Sequence, residues 1–239
     1  RKNFHPDMDA IRSSISNRTR MIMVNSPCNP TGAVYTREEI EEIVSIAIEH
    51  DLWIISDEIY SRLIWNGGEH VSPATIEGGK ERTIVISGWS KTWAMTGMRV
   101  GFLAGPEQAV RAAVKCQANS ASHIPTFMME AARVALDCDD HVERFSDAYR
   151  HRRNLIVQGL EDIPGLRIVN PEGAFYLFID VTGTGMSDVQ FADGALKAGV
   201  QLIPASLITG GEGFIRVSYA ASEEDIKEGI NRLRSWLLE

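Results

Sequence analysis

The first half of the chain alternates short apolar runs with stretches of helical periodicity. Runs at 21–25, 52–56, 83–87 and 99–104 have the length and the β-branched, apolar character of strands. Between the first two lies a segment marked as a helix at both the cap and the face. Thr36 and Glu39 stand at capping-box spacing, Tyr35 and Ile40 at the staple positions, and Ile40, Ile43, Val44 and Ala47 share one side. Strands that cross back through such helices run parallel, so the pattern predicts an α/β fold: a mostly parallel sheet flanked by helices.

The middle of the chain reads as mostly helical, from Pro106 to about 116, from 126 to 136, and along a polar-rich stretch from 140 to 160. Beyond it come an apolar run at 175–179, a helix opened by a Ser187/Gln190 box and stopped at Gly199, and a run at 214–219. A last helix starts at Ser222 with Ile226, Ile230, Leu233 and Leu237 on one face. The long polar helix is expected to join two domains, with residues 1–145 in a large sheet domain and 146–239 in a small α+β domain. No repeat or low-complexity segment interrupts this plan.

Composition narrows the function classes. The 239 residues are 44% hydrophobic and 23% charged, enough for an ordinary globular core. The formal charge of -8 comes from scattered acids with no basic stripe, which argues against nucleic acid and against a polybasic membrane anchor. No apolar run approaches the roughly 18 residues that span a bilayer. Cys28, Cys116 and Cys138 are odd in number and far apart, which speaks against a disulfide framework or a zinc site and for reduced thiols in a cytoplasmic protein. The six histidines show no ligand spacing, and neither a Walker loop nor a GxSxG elbow occurs. A small molecule or another protein is the expected partner.

Chemistry is expected beyond the carboxyl ends of the strands, where open α/β sheets bind their ligands. After the first strand, Asn29-Pro30-Thr31-Gly32 follows Pro27-Cys28 in a turn stiffened by two prolines, which can hold one amide still or be only a turn. After the second, Asp57 with Tyr60 follows an apolar run; an acid there needs a cationic partner, or else it caps a helix. After the third comes Ser87-Gly88-Trp89-Ser90-Lys91-Thr92, then Met95-Thr96-Gly97-Met98-Arg99-Val100-Gly101. A partly desolvated lysine can act as nucleophile or proton carrier, and Arg99 with Ser90 or Ser87 suits a phosphate. Arg216, inside an apolar strand, either pairs with an internal acid or awaits a carboxylate.

Taken in order, Asn29-Pro30-Thr31-Gly32, Asp57 with Tyr60, Ser90-Lys91 with Arg99, and Arg216 resemble the fold-type I aminotransferases of class I/II, the aspartate aminotransferase group. The resemblance runs from about Asn3 to the C-terminus. It implies pyridoxal 5'-phosphate held by Lys91 as a Schiff base, with the same lysine then shuttling a proton. It further implies that Asp57 pairs with the pyridine nitrogen, Tyr60 and Asn29 bond the 3'-oxygen, Arg99 and Ser90 hold the phosphate, and Arg216, with Asn29, clamps the substrate carboxylate. The implied reaction moves an amino group between an L-amino acid and a 2-oxo acid in a cytoplasmic homodimer. A cis Asn29–Pro30 bond is expected on the same grounds, and so is an antiparallel course for the run at 99–104 beside the parallel strands.

The sequence departs from that pattern in three places, one of them Pro204-Ala205-Ser206, where many relatives have Pro-Gly-Ser. The chain starts about 20 residues before its first strand, whereas relatives carry on the order of 150 residues ahead of that point, so the resemblance implies an N-terminally truncated relative. Where some members have a phosphate-binding serine three positions before the lysine, this chain has Gly88. Two other functions stay open on the sequence: a carbon–sulfur lyase of the same fold working by β-elimination, and a non-catalytic fragment serving as an interaction module. Asn29, Asp57, Tyr60, Lys91, Arg99 and Arg216 are all intact, which counts against the second.

Overall fold

The computed structural model describes residues 3–238. By their contacts these residues form two units, one of residues 3–27 and 34–145, the other of residues 28–33 and 146–238. In chain order the elements are α1 (Met8–Ser14), β1 (Met21–Asn25), α2 (Arg37–Glu49), β2 (Trp53–Asp57), β3 (Thr83–Gly88), β4 (Gly101–Ala104), α3 (Glu107–Ser120), α4 (Thr126–Ala135) and α5 (Asp139–Leu160). There follow β5 (Arg167–Ile168), β6 (Tyr176–Asp180), α6 (Asp188–Lys197), β7 (Ile203–Pro204), β8 (Phe214–Ser218) and α7 (Glu223–Leu238).

The first unit is built on a sheet of order β1-β2-β3-β4, parallel through β3 as the strand pattern predicts and antiparallel at β4 as the resemblance implies. Helix α2 forms where the capping box stands: Thr36 accepts from the Glu39 amide while the Glu39 carboxylate accepts from the Thr36 amide. Its buried Ile40, Ile43, Val44 and Ala47 meet Val24 of β1 and Ile54 of β2, closed off by Leu52 and Val71. Because side chains alternate along a strand, the residues between these point to the opposite face. There Met21, Asn25, Asp57 and Ile86 line up, and Met23 is 67% exposed.

The second unit holds an antiparallel sheet of order β5-β6-β8-β7 with α6 and α7. Helix α6 begins at its Ser187/Gln190 box, and after its last turn Gly199 takes φ +84, a left-handed conformation that glycine adopts without a Cβ penalty. Phe191 meets the Trp236 indole of α7 edge-on at 5.0 Å, and Phe178 stacks on Phe214 at 5.0 Å.

Several bounds differ from the pattern, α3 running on to Ser120 and β6 standing one residue later than its apolar run. β2 runs to Asp57, which is thus the last residue of the strand and not the first beyond it. β4 begins at Gly101, because Arg99 sits at φ 54, ψ 39, where no strand can continue. The short α1, β5 and β7 carry too few residues for any periodicity to show.

Candidate functional site

In the first unit, Asp57 is the carboxyl-terminal residue of β2, and the Lys91 turn follows the carboxyl end of the adjacent parallel strand β3. Asp57 is half-buried, and its Oδ1 accepts from the Ile59 amide at 3.2 Å. Burial pushes its carboxyl above the ordinary range against the pull of that amide, with the neighbouring Glu58 adding to the rise. No ion pair reaches Asp57 among the described residues. Tyr60, 3% exposed, lies in the tight turn that follows, where its carbonyl accepts from the Leu63 amide at 2.8 Å.

Lys91 is half-buried in a turn closed by the Ala94 amide, which donates to the Lys91 carbonyl at 3.1 Å. Ala94 is left-handed at φ 53, and Arg99 closes the next short turn in the same conformation, donating from Nη1 to the Thr96 carbonyl at 3.0 Å. Two non-glycine residues in this region within six positions mark a backbone held in an unfavourable shape. The Arg99 side chain is exposed and Ser90 half-buried, while the Ser87 hydroxyl donates to the Glu58 carbonyl at 3.3 Å. Gly88 has a steric reason: a Cβ there would lie 2.7 Å from the Val100 carbonyl and 2.8 Å from the Gly101 Cα. A serine cannot stand at this position in this backbone.

In the second unit, the segment 28–33 is a closed turn. The Cys28 amide donates to the Ala33 carbonyl at 2.9 Å and the Gly32 amide to the Cys28 carbonyl at 2.8 Å; the Asn29–Pro30 bond is cis, as expected, and so is Ser26–Pro27 just before it. The Gly32 carbonyl accepts from the Glu172 and Gly173 amides, and a Cβ on Gly32 would lie 2.4 Å from the Pro171 Cβ. On β8, Arg216 stands in register with Phe178 and Ile203. Its Nη1 donates to the Asn29 Oδ1 at 2.9 Å and its guanidinium lies 4.7 Å from the Tyr176 ring centre. Of the two roles open to it from sequence, pairing with an acid is not the one seen: no carboxylate contacts it among the described residues.

Sequence reasoning passed over the polar cluster next to Asp57. Glu58 accepts from Ser56 and Ser72 and contacts His70. The signal was present as a second acid directly after an apolar strand, but two of its three partners, His70 and Ser72, sit 12 and 14 positions away, beyond the reach of local pattern. No group of His, Cys, Asp and Glu among the described residues could hold a metal ion. No helix among them is long and apolar enough to cross a membrane.

The fold places the chain among α/β proteins with a mixed sheet, and comparison gives the family. The model of aminotransferase class I and II matches residues 1–233, and the chain belongs to that family, whose members depend on pyridoxal 5'-phosphate. It is 40% identical to aromatic-amino-acid aminotransferase 2 of Thermococcus litoralis over 99% of its length and 39% identical to aspartate aminotransferase of Pyrococcus abyssi, also over 99%. The crystal structure of an aromatic aminotransferase from Pyrococcus horikoshii superposes with a TM-score of 0.95 at 39% identity, over 99% of this chain and 64% of that one. The chain spans 62% of the length of each of those two curated relatives.

Proposed function

We propose that this chain carries the catalytic residues of a pyridoxal-phosphate aminotransferase that exchanges an amino group between an L-amino acid and a 2-oxo acid. The observation that carries the reading is Asp57: a half-buried carboxylate at a strand end, raised by its burial, with no cation against it among the described residues. A protonated ring nitrogen is the partner such a group lacks, so the residues present fit the cofactor. When bound, the cofactor supplies an electron sink for breaking the Cα–H bond of the amino acid.

The chain's own residues do the rest in this reading. Lys91 Nζ would anchor the cofactor and, once freed by the incoming amine, would take the proton from the substrate Cα and return it to the product side. Asp57 keeps the ring nitrogen protonated. Tyr60 and Asn29 donate to the ring oxygen, and Ser90 and Arg99 hold the phosphate. Arg216, steadied by Asn29 and backed by the Tyr176 ring, grips the substrate carboxylate and so orients the bond to be broken. Residues 1–145 then serve as part of the large cofactor-binding domain and 146–239 as the small domain, in a cytoplasmic homodimer. The relatives are named for aspartate and for aromatic amino acids, which makes both the first substrates to try.

The test is to incubate the chain with pyridoxal 5'-phosphate, reduce with borohydride and map the modified peptide by mass spectrometry. Modification at Lys91 is expected, and in a parallel sample left unreduced the cofactor is expected to be converted to its pyridoxamine form on adding aspartate or phenylalanine. Release of pyruvate and ammonia from a β-substituted substrate, without amino transfer, would assign the chain to β-elimination instead, and absence of modification at Lys91 would defeat the proposal.

A further inference from the structure

Next to Asp57 lies a buried acid to which the proposed reaction gives no task. Glu58 is 8% exposed. Its Oε1 accepts from the Ser56 hydroxyl at 2.9 Å and the Ser72 hydroxyl at 2.5 Å, and its Oε2 lies 3.0 Å from the His70 Nε2. Taking a carboxylate out of water is costly unless its oxygens are met by donors. Burial pushes the Glu58 carboxyl up, but the contacts of His70, Ser72 and Ser56 outweigh it and leave the group below the usual range, hence charged at neutral pH.

The cluster ties three pieces of chain together. The Glu58 amide donates to the Ile86 carbonyl of β3 at 2.9 Å, and the Glu58 carbonyl accepts from the Ser87 hydroxyl at 3.3 Å. The side chain meanwhile gathers Ser72 and His70 from the irregular segment after Trp65. Ser72 in turn caps the short turn Pro73–Thr75 through the Ala74 amide. Ser56 and Asp57 point to opposite faces of β2, and Glu58 bonds on the Ser56 side. Its carboxylate therefore works from behind the face that Asp57 presents.

We infer that Glu58 is a positioning residue for Asp57: pinned by Ser56, Ser72 and His70, it fixes the strand end from which Asp57 projects and adds a second negative charge behind it. The two charges together attract a protonated ring nitrogen more strongly than Asp57 alone. This rests on the proposed function for the identity of the cation, though not for the coupling between the two acids.

The deciding variant is Glu58→Gln, which keeps the shape and removes the charge; Ser72→Ala, which keeps the charge and loosens the clamp, is its companion. Two quantities are measured: the titration of the Asp57 carboxyl by carbon-detected NMR in the cofactor-free chain, and the dissociation constant of pyridoxal 5'-phosphate by fluorescence titration. Glu58→Gln is expected to lower the Asp57 pKa and to weaken cofactor binding roughly tenfold, the scale on which outer partners of a bound group act. Ser72→Ala should weaken binding less and leave the Asp57 titration nearly in place. If Glu58→Gln lowers only the melting temperature and leaves both quantities unchanged, Glu58 is merely structural and the inference falls. If the unaltered chain does not bind the cofactor, the proposed function fails, and the Asp57 titration alone then decides for or against the coupling.

Discussion

Arg216 and Asn29 stand 187 positions apart in the chain and 2.9 Å apart in space, the guanidinium donating to the amide oxygen. A neutral acceptor steadies the fork without neutralising it, and the Tyr176 ring lies at 4.7 Å from the same group. Replacing Arg216 by lysine keeps a positive charge and removes the planar pair of donors. KM for the amino acid is expected to rise between about tenfold and a hundredfold, the value of a hydrogen bond to a charged group, with kcat changed less. Steady-state kinetics check this, and an unchanged KM would remove Arg216 from the carboxylate site.

Asp57→Ala separates holding the cofactor from using it. Turnover should fall by roughly 10²–10³-fold or more, the scale on which a single electrostatic stabiliser acts. Borohydride labelling at Lys91 should persist, because the attachment does not run through the acid. Near-normal turnover in this variant would refute the role assigned to Asp57.

The same acid ties activity to stability. Its carboxyl is raised in the folded chain by burial, so the folded state holds its proton to higher pH than the unfolded one. Stability is therefore lost as pH rises from the unfolded value through the folded one, and the full cost is present at neutral pH. Asp57→Asn, which cannot ionise, should raise the urea midpoint of the cofactor-free chain at pH 7 and lose that advantage below the usual aspartate range. A variant less stable at pH 7 than the parent would contradict the assignment.

Thr36→Ala removes the hydroxyl that accepts from the Glu39 amide and keeps the backbone amide that donates to the Glu39 carboxylate. A loss of about 1 kcal/mol is expected from denaturant unfolding. Thr36→Ser, which keeps the oxygen, should recover most of it.

Ile54→Ala strikes the core between β2 and α2, where the side chain is fully buried beside Ile43 and Val44. The cavity and the lost burial should cost about 2–5 kcal/mol. A loss below about 1 kcal/mol would mean that α2 can settle into the space.

How much of this was legible in the sequence depended on how local the cause was. The α2 cap, its apolar face and the stop at Gly199 are each decided within a few residues, and all three stand where the pattern puts them. The end of β2 was read one residue early because Asp57 completes a parallel ladder with Asn25 and Ile86, and a partner strand leaves no mark in the strand's own sequence. The start of β4 was read early because the apolar pattern does not reveal that Arg99 is left-handed. Arg216 and Asn29 could each be picked out by residue type and setting, but not their bond, since nothing in either segment encodes the other's distance. The cluster around Glu58 was missed for the same reason, and Gly88 made sense only once the Gly101 backbone was seen against it.

The turn at residues 28–33 belongs by its contacts with a stretch of chain that begins more than a hundred positions later. Its Gly32 carbonyl takes both the Glu172 and the Gly173 amides, and its Asn29 takes Arg216. The second unit is therefore not a separable cassette. A polypeptide cut at residue 146 would leave two backbone donors and one guanidinium without their acceptors, and during synthesis the early turn must wait for the late sheet before its own hydrogen bonds are complete.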